Sequence, residues 1–159
     1  MSNFEKVLEF NKAFGVVTNT KPHVKIFDED KKLLEYRLSL IIEEVKELQD
    51  AIREKDFTET IDALADILYV TLGAFTAIGI HADQAFKIVH DSNMSKLCPD
   101  EATAIRTVEF YKKNESDRYP DPIYRLADDK KNWVVLNEST MKILKNIDYI
   151  PADFSKLIQ

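Results

Sequence analysis

Residues 59–78, ETIDALADILYVTLGAFTAI, predict a helix with Thr58 as its N-cap and Gly79 as its C-terminal stop. The stretch is apolar around nearly its whole circumference, so we expect this helix at the centre of a bundle. The run without charged residues or histidine covers positions 67–80, which is 14 residues and short of the roughly 20 that a membrane-spanning helix needs. The sequence therefore predicts a helix that is buried in protein.

An amphipathic helix precedes this stretch, from about Asp30 to Lys55. Only the few residues around 55–58 separate the two helices, and so short a connection predicts an antiparallel pair. The apolar residues of the earlier helix recur at steps of three and four, which is the spacing of one helical face: Leu34, Leu38, Ile41, Val45, Leu48 and Ile52.

The rest of the chain predicts shorter helices and a less regular C-terminal part. Ser2 and Glu5 have the spacing of a capping box at the start of the first helix. The remaining predictions, in chain order, are helices at 3–14, 83–94 and 101–113, turns and loop at 114–131, one short strand at 133–136 and an ordered extension at 142–154, KILKNIDYIPADF.

The predicted fold class is all-α. We expect a four-helix bundle-like core over residues 1–97, and a mixed, loop-rich C-terminal extension over residues 98–159 that packs on it. The two parts would form a single domain overall, which the length of 159 residues allows.

Composition and charge exclude several classes of function. The chain has 28 acidic and 22 basic residues and a net charge of −6, so we expect neither duplex nucleic acid nor a membrane as a partner. Only three glycines are present, which excludes the glycine-rich phosphate loops of the Walker and Rossmann types. The single cysteine, Cys98, cannot form an internal disulfide, and the N-terminus does not resemble a signal peptide. We therefore expect a reducing, cytoplasmic location.

Five carboxylates are predicted to lie together on the two long helices. Glu43, Glu44 and Glu47 share one sector of the earlier helix, and Asp62 and Asp66 share one face of the later, apolar one. Antiparallel packing would bring the two groups level with each other. A buried carboxylate without a partner costs several kcal/mol, so acids in a core helix are normally paired with a cation or bound to a metal.

The chemistry of this group points to phosphate. Glu-rich helices are in general solvated acidic faces, but a set of oxygen ligands without His or Cys suits the hard cations Mg²⁺ or Mn²⁺. No histidine follows a glutamate by three residues, which is the spacing in di-iron bundles. Because Mg²⁺ usually binds through a few carboxylates together with substrate phosphates, the cluster predicts a site for a metal-bridged polyphosphate.

Three segments, IIEEVKEL at 41–48, DALADILYV at 62–70 and HDSNMSKL at 90–97, resemble the signature of the all-α nucleoside triphosphate pyrophosphohydrolases. This superfamily includes the MazG, phosphoribosyl-ATP pyrophosphohydrolase and dimeric dUTPase enzymes. Its pattern is EExxE followed by ExxD. The chain departs from that pattern because Ala63 stands three residues before Asp66, whereas the spacing from Glu59 to Asp62 offers an alternative ExxD.

The resemblance implies hydrolysis of a nucleoside triphosphate, NTP or dNTP, to the monophosphate and pyrophosphate by a metal-activated water. It assigns Glu44 both to Mg²⁺ (or Mn²⁺) and to water activation. The remaining implied metal ligands are Glu43, Glu47, Asp62 and Asp66, and the implied substrate-binding residues are Asn93, Lys96, Lys145 and Tyr149.

Two further expectations concern partners. Similar enzymes are homodimers or homotetramers, and a helix as apolar as the one at 63–80 needs neighbours on all sides, so we expect a homo-oligomer. The alternative function is a non-catalytic helical bundle whose acidic cluster binds a basic partner or a divalent metal. That alternative requires the carboxylates to lie on exposed faces.

Overall fold

The computed structural model describes residues 1–114 and 120–159. Within these residues the chain forms six α-helices, a two-stranded antiparallel sheet and a short 3-10 helix at Ser155–Leu157. In chain order the main elements are α1 (Asn3–Ala13), α2 (Ile26–Glu29), α3 (Lys31–Glu54), α4 (Phe57–Ile78), α5 (Ala82–Met94), α6 (Glu101–Lys113), β1 (Pro122–Leu126) and β2 (Trp133–Asn137). The predicted all-α fold class is confirmed.

The chain divides into two compact units. The first unit comprises Met1–Phe86 together with Phe154–Gln159, and the second comprises Lys87–Asp153. The boundary falls inside α5, so this helix contributes residues to both units. The predicted packing of residues 98–159 on a core of residues 1–97 stays a prediction.

A hairpin of α3 and α4 forms most of the first unit. Lys55 ends α3 in the left-handed conformation, with φ at 59°. The Asp56 carboxylate then accepts hydrogen bonds from the backbone N–H groups of Thr58 and Glu59, at 2.9 and 3.0 Å. The prediction of Thr58 as the N-cap is therefore wrong by two residues. The aspartate, which stands earlier in the chain, caps the helix, so that α4 begins at Phe57.

Small residues are buried on both helices of the hairpin. They are Ala51 of α3 and Ala63, Gly73 and Ala77 of α4. Gly73 faces α3, where it packs against the Arg37 side chain. α1 packs on another side of α4, where Phe4 and Val7 meet Leu72 in a small apolar cluster.

The outer side of the hairpin is apolar and exposed, so the prediction of α4 as the centre of a bundle is wrong for a single chain. Within the first unit α4 packs against α1 and α3, and these two helices leave part of its apolar circumference in contact with solvent. We call the exposed residues the outer apolar stripe. Its members, each between 39% and 61% exposed, are Leu38, Ile42, Val45 and Ile52 of α3 and Ile61, Leu64 and Leu68 of α4.

By length and composition alone, α4 could also cross a membrane. A single helix of this kind is weak evidence for a membrane protein, because core helices of other proteins pass the same test. The helix also carries the carboxylates of Asp62 and Asp66, which are costly at the centre of a bilayer.

The segment before α2 closes the C-terminal end of α4. The backbone N–H of Asn19 donates to the carbonyl of Thr76 at 2.9 Å, and that of His23 donates to the carbonyl of Ile78 at 3.0 Å. Gly79, with φ at 72°, turns the chain directly beneath this segment, and a Cβ added there would collide with the carbonyl oxygen of Lys21. The predicted C-terminal stop at Gly79 is thus confirmed, and two constraints require glycine at that position.

The second unit is built around α6 and the sheet. β1 pairs with β2 in antiparallel register from Pro122 opposite Asn137 to Leu126 opposite Trp133. β2 confirms the strand predicted at 133–136, whereas β1 lies where the sequence predicts turns and loop. The prediction missed β1 because Pro120 precedes it and Pro122 is its first residue, a position where a missing N–H is tolerated. Residues 115–119 of the predicted loop lie outside the described residues.

Candidate active site

The register of the α3–α4 hairpin brings the predicted carboxylates to one level. Arg37 of α3 packs against Gly73 of α4, where a Cβ would lie 3.2 Å from the Arg37 Nη1 atom. Glu44 follows Arg37 by seven residues, and Asp66 precedes Gly73 by seven. Because seven residues make about two turns of each antiparallel helix, Glu44 and Asp66 meet at the same level of the hairpin.

Glu44 is the electrostatic centre of the group. Its carboxylate is half-buried, and this burial raises its pKa above the usual value. The negative charges of Glu47, Asp66, Glu43 and Asp62, in decreasing order, raise the pKa further. The structure therefore places all five predicted carboxylates close enough to interact, and we call them the carboxylate cluster.

The members of the carboxylate cluster differ in exposure. Asp66 is half-buried like Glu44, whereas Glu43, Glu47 and Asp62 are exposed. The expectation that both aspartates lie in a core helix is thus wrong for Asp62, because the α4 face near its N-terminus is open to solvent. Exposed acids carry a smaller desolvation cost, so a cation would stabilise this group chiefly by relieving the mutual repulsion around Glu44.

Glu59, the alternative first acid of an ExxD pattern, is placed differently. It lies in the first turn of α4, and its backbone N–H is capped by Asp56. Glu59 is not among the charges that raise the pKa of Glu44. Among the described residues, the acidic pair of α4 that acts on Glu44 is Asp62 with Asp66.

The ligand chemistry of the carboxylate cluster fits a hard divalent cation. All donors are carboxylate oxygens, the ligands that Mg²⁺ and Mn²⁺ prefer, and a cation would relieve the repulsion that Glu44 experiences. As the side chains stand, no three His, Cys, Asp or Glu side chains within 1–114 and 120–159 are close enough to bind one metal ion together. Ligation by the cluster would thus require rotation of its side chains, which the exposure of three members permits.

The four predicted substrate-binding residues all lie in the second unit. At the end of α5, the Lys96 Nζ donates to the Asn93 Oδ1 at 2.7 Å. In the C-terminal tail, the Lys145 Nζ lies 4.4 Å from the centroid of the Tyr149 ring. The Tyr149 hydroxyl is 2.9 Å from the Ser92 Oγ, one residue before Asn93. The structure thus brings Lys96 next to Asn93 and Lys145 next to Tyr149, and Tyr149 contacts α5 one residue before Asn93.

Two buried residues that hold this arrangement were missed by sequence reasoning. The Asn146 Nδ2 donates to the carbonyls of Ser95 and Leu97 at 2.9 and 2.7 Å, and so ties the segment that follows α5 to the tail. The Ser92 Oγ donates to the carbonyl of Ile150 at 2.9 Å. No periodic pattern marks either residue, since their partners are backbone carbonyls 49 and more residues away.

We expect Asn146→Ala to lower the free energy of unfolding by about 2 kcal/mol, because it leaves two carbonyls without their donor. Denaturant unfolding of the full chain measures the change. Asn114→Ala is the matched control, since it removes a single 2.7 Å bond from an exposed Asn side chain to the Phe110 carbonyl and should cost about 0.5 kcal/mol or less. Equal effects of the two substitutions would contradict the assigned role of Asn146.

Comparison with known proteins adds two findings. A curated relative, an uncharacterized protein of Acanthamoeba polyphaga mimivirus, is 29% identical, and the match covers 99% of this chain and 96% of that protein. The family model described as phosphoribosyl-ATP pyrophosphohydrolase matches residues 7–93. This range contains the whole carboxylate cluster and Asn93, and it ends before Lys96 and the tail. More than half of the chain is matched, and the chain belongs to the phosphoribosyl-ATP pyrophosphohydrolase family.

Proposed function

We propose that this protein hydrolyses a nucleoside triphosphate, NTP or dNTP, to the nucleoside monophosphate and pyrophosphate in a metal-dependent reaction. The observation that carries the proposal is the carboxylate cluster, in which four negative charges act on the half-buried Glu44. The cluster lies within the segment that matches a pyrophosphohydrolase family. An all-carboxylate site is suited to a polyphosphate when a divalent metal bridges the two.

The metal ligands in this proposal are Glu43, Glu47, Asp62 and Asp66, with Glu44 at their centre. Mg²⁺ or Mn²⁺ bound by them would neutralise phosphate charge and make a water molecule easier to deprotonate.

Glu44 has the properties of the general base. Burial and the four neighbouring carboxylates raise the pKa of Glu44 above its usual value, so this group holds a proton more readily than an ordinary glutamate. In the proposed reaction Glu44 accepts a proton from water, the water oxygen forms a bond to the α-phosphorus, and the bond from that phosphorus to the bridging oxygen breaks. Pyrophosphate leaves with the bridging oxygen, and the products are the monophosphate and pyrophosphate.

The substrate contacts are also a proposal. Lys96 and Lys145 carry positive charges suited to phosphate oxygens, and Asn93 offers an amide for the sugar. Tyr149 has both a ring and a hydroxyl, and its position at the end of α5 is held by Ser92. We propose that these residues bind the nucleotide, with base and sugar preference to be read from a substrate panel.

Metal binding can be tested by thermal unfolding with increasing MgCl₂. Without metal, Asp66→Asn should melt slightly above the wild type, because one of the charges that repel Glu44 is gone. With MgCl₂ the wild type should gain stability and Asp66→Asn should not, since a ligand stabilises only the state that binds it. Asp28→Asn on α2 is the control and should respond like the wild type. A wild type that MgCl₂ does not stabilise would contradict the proposed metal site.

The outer apolar stripe suggests the partner. Its seven members are large aliphatic residues at helical spacing on both arms of the hairpin, and none is charged. A patch of this kind is unsuited to a basic partner and suited to an identical patch related by a two-fold axis. We propose that a second copy of this chain packs on the stripe, forming a homodimer or one interface of a homotetramer.

We expect Leu64→Lys to dissociate the oligomer, because it places a charge in the middle of the proposed apolar interface. Sedimentation velocity at several protein concentrations measures the change. Phe27→Lys is the matched control, since Phe27 is 71% exposed on α2 and outside the stripe. A monomeric wild type, or a Leu64→Lys variant of unchanged mass, would contradict the interface.

A further inference from the structure

Arg37 is a buried cation with two nitrogens that no described residue hydrogen-bonds. Its side chain is only 5% exposed, and its Nε and Nη2 atoms have no hydrogen-bond acceptor within the described part of the chain. The other contacts that it makes are with Gly73, against which its Nη1 atom packs, and with the ring of Tyr36, 5.9 Å from the guanidinium carbon. The burial of Arg37 could not be predicted from its neighbours in the chain, because an arginine between apolar residues of an amphipathic helix is usually solvated.

Nearby polar groups do not provide an acceptor for Arg37. The Asn11 Nδ2 donates to the Thr76 Oγ1 at 2.8 Å, and the Thr76 hydroxyl donates to the Gly73 carbonyl at 2.8 Å. These groups therefore bond to one another around the guanidinium. Burial lowers the pKa of Arg37, yet an arginine remains charged at neutral pH. A charge in this environment is costly unless an anion binds to it.

The position of Arg37 relative to Glu44 indicates that this anion is a phosphate group of the substrate. Arg37 precedes Glu44 by seven residues on the same face of α3, which places their backbones about 10 Å apart along the helix. A long side chain covers part of that distance, and a triphosphate held at the carboxylate cluster extends over the rest. The Nε and Nη2 atoms make no hydrogen bond within the described residues, so a turn of the guanidinium toward the cluster would break none at these two atoms.

We propose that Arg37 binds a phosphate group of the substrate at a subsite two helical turns from Glu44. This inference rests on the proposed function, which it extends by a specific phosphate-binding residue. The planar guanidinium suits phosphate oxygens because it can donate two parallel hydrogen bonds. Gly73 is what leaves room for this side chain between the helices.

The test uses inorganic tripolyphosphate as the probe, in the presence of Mg²⁺, with calorimetry of the full-length chain. Arg37→Met keeps most of the length of the side chain and removes its charge. We expect it to weaken tripolyphosphate binding by about 10- to 100-fold, while binding of Mg²⁺ alone is unchanged. Lys46→Met removes a charge from the same helix at an exposed position and should leave tripolyphosphate affinity as in the wild type.

A second measurement separates a binding role from a structural one. If Arg37 is kept for binding, Arg37→Met should melt at or above the wild-type temperature without phosphate, because an unpaired buried charge has been removed. If Arg37→Met melts at a lower temperature than the wild type, Arg37→Lys is the deciding variant. Weaker tripolyphosphate binding by Arg37→Lys at a wild-type melting temperature supports the proposal, and unchanged binding by this variant overturns it.

Three other results would overturn the proposal: unchanged affinity in Arg37→Met, no measurable tripolyphosphate binding by the wild type, or dissociation of the oligomer by Arg37→Met with affinity retained. The last result would mean that the missing anion is a carboxylate of a second copy. These readouts do not depend on turnover. A pyrophosphate assay can therefore show that the proposed hydrolysis does not occur even if Arg37 is found to bind phosphate. Conversely, hydrolysis can be found even if Arg37 does not bind phosphate.

Discussion

Glu44→Gln is expected to reduce kcat for pyrophosphate release by about 10²- to 10⁴-fold, the usual contribution of a general base, with KM close to that of the wild type. The amide keeps the size of the side chain but cannot accept a proton from water. Steady-state kinetics with Mg²⁺ and the preferred nucleotide measure both constants. A loss confined to kcat would mean that Glu44 acts in the chemical step and not in substrate binding.

The matched control is Glu35→Gln. Glu35 lies on the same helix, is exposed and pairs with Lys31 at 3.1 Å, so the same chemical change there should leave both constants unchanged. If Glu44→Gln turned over at the wild-type rate, Glu44 would have no role in catalysis. If KM rose and kcat did not fall, Glu44 would be a ligand of the metal or substrate only.

Gly79→Ala is expected to lower the free energy of unfolding by about 3 kcal/mol or more, at the upper end for single substitutions. Two costs combine at this position. Alanine is strained at a φ of 72°, and its Cβ would collide with the carbonyl oxygen of Lys21. The segment that closes the end of α4 would have to move. Denaturant unfolding measures the change.

Gly15→Ala separates these two costs. Gly15 has nearly the same conformation, with φ at 68°, and nothing lies within 4 Å of an added Cβ. This variant therefore reports backbone strain alone, which should be about 1 kcal/mol. Equal losses in the two variants would show that the contact between Gly79 and Lys21 does not constrain the fold.

Local patterns in the sequence predicted the helices well. The apolar periodicity of α3, the capping box at Ser2 and the glycine after α4 depend on neighbours in the chain, so they can be read without knowing the tertiary structure. Two features depended on distant contacts and were predicted wrongly. β1 forms because β2 pairs with it. The outer face of α4 is exposed because α1 and α3, which pack on that helix within the first unit, do not cover this face.

The candidate site was also predicted only in part, because some of its features depend on neighbours in the chain and others depend on distant contacts. The spacing of Glu43, Glu44 and Glu47 and the short turn after α3 sufficed to bring these acids level with the aspartates of α4. Exposure could not be predicted, because it depends on which helices cover the hairpin. Arg37 and Asn146 were missed because their roles come from what surrounds them: one is enclosed without an acceptor, and the other bonds to carbonyls across the second unit.

The most direct test of the central claim is pyrophosphate release from a panel of NTPs, dNTPs and phosphoribosyl-ATP, with Mg²⁺ and with EDTA, by the wild type and Asp66→Asn. We expect release of pyrophosphate and the monophosphate product from at least one substrate. That release should require the metal and be lost in a folded Asp66→Asn protein. Absence of release from every substrate by a folded wild type, or equal release by Asp66→Asn, would contradict the claim that the carboxylate cluster is the active site of a pyrophosphohydrolase.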